Sequence, residues 1–225
     1  MLEKLPDALG HALRNQRAGL DEIAFNRIDL RTGTAAITVS SLAFADHAPI
    51  PALYTADGEG RSPPLQWSGV PAGAASVVLL VEDADAPTPR PLVHAIVVDL
   101  PAGPEGTLPE SALASPAQDD STLPAAGRVG RNSYLQAAWL PPDPPPGHGV
   151  HRYAFQVFAL AAADPEDDTA LLDETPGREA VLDAIDARAV ASGLLIGTYT
   201  RPDGSIRADQ EAPAVVTRTP GLLAT

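Results

Sequence analysis

The sequence predicts a mainly β protein: an antiparallel Greek-key β-sandwich with a few peripheral helices. Three observations carry that expectation. Residues 76–83, 93–100 and 152–160 are nearly continuous apolar runs of strand length, the pattern of strands covered on both faces. The segments between them vary in length and are punctuated by many of the 24 prolines and 18 glycines, as turns between strands are. Helical periodicity is confined to two segments, with no regular alternation of strand and helix.

Taken in order, Leu2, Leu5, Leu9 and Leu13 fall at helical spacing and Pro6 fits a first turn, so residues 2–18 read as a short amphipathic helix. It belongs to an N-terminal helical extension, residues 1–24, that clasps its own domain or a partner chain. Residues 35–42 are small and β-branched and read as a strand. Residues 47–64 carry Pro49, Pro51, Gly58, Gly60, Pro63 and Pro64 and read as an ordered loop. The three apolar strands follow, separated by Pro-, Gly- and Ser-rich loops over 101–133 and 140–150. Residues 175–192 read as a helix: Thr175 can cap it, Pro176 suits its first position, and Val181, Ile185 and Ala189 form a stripe beside Leu182. Gly193 reads as its stop, residues 194–200 as a last strand, and 201–225 as a C-terminal tail. Neither a repeat nor a linker divides the chain, so residues 1–225 are expected to form one domain.

Composition narrows the function. The formal net charge of −14, from 29 acidic and 15 basic residues, repels phosphate backbones and anionic lipid surfaces, so no nucleic-acid partner is expected. The chain has no cysteine. That excludes disulfides, thiolate metal sites and a cysteine nucleophile, and fits a reducing, cytoplasmic compartment. No run of 18 apolar residues is present, so no integral membrane association is expected. The N-terminus lacks the apolar stretch of a secretory signal. No cofactor is expected.

Three segments place polar groups at the ends of apolar strands, where loops assemble sites. Asp83 and Asp85 lie two apart where the first strand stops; in extended backbone they share a side. They read either as an orienting or acid/base pair, or as caps of a turn before Pro87. His94, early in the next strand, is either a pocket group or a core histidine with a backbone partner. The third is the run from Pro145 to Tyr153. There two glycines allow close backbone approach, and His151 and Tyr153 share a face of an extended segment.

Asp83-Ala-Asp85-Ala-Pro87, then Val93-His94, then Gly149-Val-His151-Arg-Tyr153 occur in this order, with Ser62-Pro-Pro-Leu65-Gln-Trp67 upstream. The set resembles the phosphatidylethanolamine-binding protein family in its bacterial branch, from about Ile37 to about Tyr199. The resemblance implies an antiparallel sandwich with a small surface cavity for phosphate-like or carboxylate-like anions. Its matching pocket positions are Asp83, His94, His151 and Tyr153, with Pro87 on the rim and Asp85 as the second acid. Ala84 stands where the family usually has Pro between the acids, and Leu92 or Val93 where it has an aromatic.

The function read from these features is a non-enzymatic binding protein with a pocket for a small anionic head group. Asp83 is expected to accept from a histidine and to support its protonated form. The resemblance also implies a protein-interaction regulator, restraining a kinase or protease, as the alternative. A hydrolase ranks third because no Gly-x-Ser-x-Gly elbow is present. A metal held by His94, His151 and Asp83 has no supporting local spacing. The assembly expected from apolar sandwich surfaces is a two-fold homodimer.

Overall fold

A computed structural model describes residues 6–28, 35–113, 127–163 and 172–202. The described residues are mainly β, in two sheets with few helices. The larger sheet contains β1 (Ala35–Ala36), β3 (Ala48–Pro49), β5 (Ser76–Asp83), β6 (Leu92–Pro101), β8 (Arg128–Val129), β9 (His151–Leu160) and β10 (Ala189–Tyr199). Its order is β1-β10-β9-β5-β6-β8, with β3 also on β10. The smaller sheet is β2 (Thr38–Ser40), β4 (Leu65–Ser68) and β7 (Glu105–Leu108), in the order β2-β4-β7. Three α-helices accompany them among the described residues: α1 (Asp7–Leu13), α2 (Ala24–Arg27) and α3 (Arg178–Arg188).

The long strands are largely apolar because the large sheet is buried on both faces. Val77, Leu79 and Val81 of β5, with Phe155 and Val157 of β9, pack toward the small sheet's Val39, Leu65 and Trp67. The alternate residues Val78 and Leu80, with Ile96 and Phe158, pack against Val181 and Ile185 of α3 and Ala24 of α2. Burying each such side chain contributes roughly 1.5–3 kcal/mol, so both layers matter to stability.

Several expectations change in detail. The sheet is mixed: β1 and β3 both run parallel to β10. Short strands at β4, β7 and β8 lie in stretches too brief or too irregular for a period-two pattern to register. The N-terminal helix covers Asp7–Leu13, and Leu2 and Leu5 lie outside the described residues. The later helix starts after an extended Gly177 with no side-chain cap, so Thr175 does not cap it. It ends at Arg188, and the last strand begins at once. Gly193 therefore sits inside β10. It is there for closeness: a Cβ would stand 2.2 Å from the Ile37 carbonyl oxygen. Of the C-terminal tail only Arg201 and Pro202 are described. No helix among the described residues is long and apolar enough to cross a membrane.

One buried charge fastens the helical layer. Glu82 is fully buried on the helix side of β5. Its Oε2 accepts from the Ala24 N–H at 2.9 Å and from Gln156 Nε2 at 2.8 Å. Its Oε1 accepts from Arg178 Nε at 2.6 Å. Gln156 Oε1 in turn accepts from the Phe25 N–H at 2.7 Å. Removing one member of a buried ion pair strands the other. Glu82→Ala is expected to lower the unfolding free energy by about 3–5 kcal/mol in urea titrations, with Glu82→Gln less damaging; equal, small losses in both variants would contradict this account of the layer.

Candidate functional site

Antiparallel register places three strand ends together. Asp83, the last residue of β5, lies opposite Leu92 at the start of β6 and opposite Tyr153 near the start of β9. Val81 pairs with Ala95 but Glu82 pairs with Val93, so His94 is the extra residue of a β-bulge. Bulges re-aim a side chain at the end of a strand. The His94 ring stands edge-on to Tyr153, with centroids 5.1 Å apart and planes at 85°.

His94 Nδ1 lies 2.6 Å from the Leu140 carbonyl oxygen. A carbonyl only accepts, so Nδ1 carries the proton. The Leu140 N–H donates back to the His94 carbonyl at 2.8 Å, which locks the ring's setting. Burial pushes the His94 pKa down despite the opposing charge of Asp83. The ring is thus neutral near pH 7, and its Nε2, buried and without a partner, is a lone pair.

The loop that supplies Leu140 is organised by buried Asn132. Its Oδ1 accepts from the N–H groups of Tyr134 and Gln136, and its Nδ2 donates to the Ala138 carbonyl at 3.1 Å.

His151 belongs to a longer chain of contacts. Its Nδ1 is 2.7 Å from Asp83 Oδ2, and its Nε2 is 2.7 Å from His148 Nδ1. His148 Nε2 lies 2.9 Å from the Leu13 carbonyl oxygen. Since Leu13 can only accept, His148 donates from Nε2. Burial, with the neighbouring His151, lowers the His148 pKa, so its Nδ1 is left to accept. His151 then donates from Nε2 to His148, and its Nδ1 closes a buried hydrogen-bonded pair with Asp83.

A cavity of about 270 Å³ opens beside this chain, lined by Asp83, His94, His151 and Asp143 among apolar residues that include Leu13, Pro87, Leu92, Leu140 and Pro144. Both carboxylates are already engaged. Asp143 is bonded by Arg201, whose Nε also donates to Asp57 at 2.9 Å. Arg201 itself is buried.

Of the residues singled out from sequence, Asp83, Pro87, His94 and His151 line the cavity. Tyr153 lies beneath the two histidine rings, fully buried, with its hydroxyl unpartnered. Burial raises its pKa well above the ordinary phenol value, so it stays protonated.

Asp85 does not share a side with Asp83. β5 ends at Asp83, whose Oδ1 accepts from the Asp85 N–H at 2.8 Å, and the intervening turn directs Asp85 away. Asp85 instead accepts from the Arg152 backbone and from its Nε and Nη2 at 2.7–2.9 Å, and pairs with Arg17. Burial raises its pKa, but these donors outweigh it and hold the carboxyl below its usual range.

Sequence reasoning missed His148, Asp143, Arg201 and Leu13. His148 could have been suspected from its place between Gly147 and Gly149. Nothing local ties Asp143 to Arg201, which are 58 positions apart. Among the described residues, no group of three His, Cys, Asp or Glu side chains is placed to hold a metal ion.

A family model described as phosphatidylethanolamine-binding protein matches residues 40–200. A UPF0098 protein of Methanothermobacter thermautotrophicus is 38% identical over 161 residues, covering 71% of this chain and 95% of that one. A UPF0098 protein of Mycobacterium bovis is 39% identical over 163 residues, covering 72% of this chain and 70% of that one. Among solved structures, a Chlamydia trachomatis protein described as a phosphatidylethanolamine-binding protein homologue superposes with a TM-score of 0.60 at 32% identity, covering 74% of this chain and 98% of that one. Escherichia coli YbcL, described as a member of the mammalian family of these proteins, gives 0.64 at 28% identity, covering 74% and 99%.

A histidine whose pKa is depressed in the fold binds fewer protons than the unfolded chain below about pH 6.5. Stability therefore falls as pH drops from about 6.5 toward the folded value, by at most about 1.4 kcal/mol per pH unit for one proton. His94→Asn keeps an amide donor for Leu140 and removes the titration. Urea denaturation from pH 8 to 5 should show a steeper acid loss for the wild type than for the variant; parallel curves would mean that His94 is not a buried neutral ring.

Proposed function

The chain belongs to the phosphatidylethanolamine-binding protein family, and from that premise we propose that it is a non-enzymatic binding protein whose cavity beside Asp83, His94 and His151 takes a small oxyacid head group, phosphate- or carboxylate-like. The observation that carries this reading is the unpartnered Nε2 of His94, a buried polar atom on a residue that lines the cavity. Buried polar atoms are nearly always satisfied, so a ligand atom is the natural partner. Both cavity carboxylates already have partners, Asp83 in His151 and Asp143 in Arg201. An incoming anion therefore does not meet two bare negative charges.

The tautomer of His94 adds a condition. With Nδ1–H committed to Leu140, Nε2 can bond an oxyacid in two ways. Either the ligand brings an O–H, or the ring takes up a proton and donates it. Each leaves one proton at the contact between ring and ligand. For a ligand that is an anion in solution, binding and proton uptake are then one event. The walls of Leu, Pro and Ala suit a short apolar substituent on the head group.

The protein-binding alternative is favoured by one surface feature. Tyr134, which lines the cavity, and Leu135 beside it are exposed, the latter by 80%, so the rim offers apolar contacts. It remains second because the unpartnered nitrogen lies within the cavity's own lining and not on that rim.

Methanesulfonate keeps its single negative charge across the useful pH range, so it isolates the protein's proton. Calorimetric titration from pH 8 to 6 should show affinity rising toward about tenfold per pH unit, the limit for one coupled proton. His94→Asn should flatten that slope. Binding that is absent, or equally tight at every pH in the wild type, would overturn the reading.

A further inference from the structure

The N-terminal arm, residues 7–19, lies wholly before the residues matched by the family model, yet it is built into the cavity. Leu13 lines it, and the Leu13 carbonyl ends the Asp83–His151–His148 chain. Beyond Leu13, Arg17 bonds the carbonyls of His148 at 2.9 Å and Val150 at 2.6 Å and pairs with Asp85 at 3.0 Å. The Ala18 N–H donates to the Ala86 carbonyl at 3.1 Å and the Gly19 N–H to the Ala84 carbonyl at 2.7 Å. Before it, Gly10 packs so closely that a Cβ would stand 1.8 Å from the Pro146 carbonyl oxygen. The arm is thus fastened to two segments that adjoin cavity-lining residues, 84–86 beside Asp83 and Pro87 and 146–150 between Pro145 and His151, with Leu13 between the anchors.

Resting on the oxyacid reading above, we propose that this arm is a wall of the binding site and that Leu13 is a specificity-determining residue, setting how long a substituent the bound head group can carry. The cavity's volume of about 270 Å³ falls just below the roughly 300–1,000 Å³ of sites for drug-sized ligands, so it has room for a head group and a short chain. Leu13 is the arm's only residue in that lining. Shortening it extends the apolar space on that side; enlarging it closes the space. The pocket's selectivity for ligand length is then written outside the family core, in a segment that has no part in holding the two sheets together.

The test is a series of linear alkylphosphonates, methyl to octyl, titrated calorimetrically into wild type, Leu13→Ala and Leu13→Phe at one pH. Wild-type affinity should climb over the first members and then level or fall. Leu13→Ala should carry the climb to longer chains, at about fourfold per added methylene. Leu13→Phe should bring the break to shorter ones, which keeps the test decisive if the alanine variant loosens the arm. A break at the same chain length in all three proteins overturns the proposal while leaving the pocket intact. No binding of any phosphonate to the wild type overturns the pocket reading itself, and this inference with it.

Discussion

A carbonyl oxygen can only accept a hydrogen bond, and the site depends on that constraint at two places. Leu140 forces a proton onto Nδ1 of His94, and Leu13 forces one onto Nε2 of His148. From the first it follows that a neutral His94 offers the cavity a lone pair. From the second it follows that a neutral His148 has only Nδ1 left to accept from His151 Nε2. Two imidazoles lining one cavity thus have different roles. One is the hydrogen-bonded partner of Asp83; the other is a neutral group awaiting a proton or a donor.

The fold delivers these atoms by simple means. Antiparallel pairing of β5 with both β6 and β9 puts one strand's end against two strands' beginnings, and a single extra residue in β6 makes His94 the member of the bulge. The alternation of the strands then separates two kinds of polar group. Asp83 lies on the face toward the small sheet and serves the cavity. Glu82, one residue earlier, lies on the helix face and anchors α2 and α3. The same β5 therefore ends in two carboxylates with unrelated duties, one structural and one at the site.

Much of this was legible because strong local signals coincided with burial. The apolar runs around Leu80, Ile96 and Phe158 read as two-faced strands, and the two faces have different covers. Asp83, His94 and His151 stood out as polar groups at the ends of such runs. What escaped notice depends on distance in the chain or on ambiguity of residue type. Gly193 reads equally as a helix stop or as a close approach, and only the neighbouring Ile37 carbonyl decides between them. The parallel seats of β1 and β3 on β10 involve a few residues each, too few for a period. The alternation that would set Asp85 beside Asp83 needs a strand through residue 85, and β5 ends two residues sooner. Arg201 and Leu13 carry no motif at all; each gains its place from partners more than fifty positions away.

The chemistry of the cavity turns on the tautomer of His94. It is read most directly by long-range proton–nitrogen correlation NMR on protein labelled with ¹⁵N at histidine, near pH 7.5 and free of ligand. The account predicts one buried ring, absent from the His94→Asn spectrum, with a protonated Nδ1 and an unprotonated Nε2. A His94 ring protonated at Nε2 alone, or already at both nitrogens, would contradict it, because the cavity would then present a donor and not a lone pair.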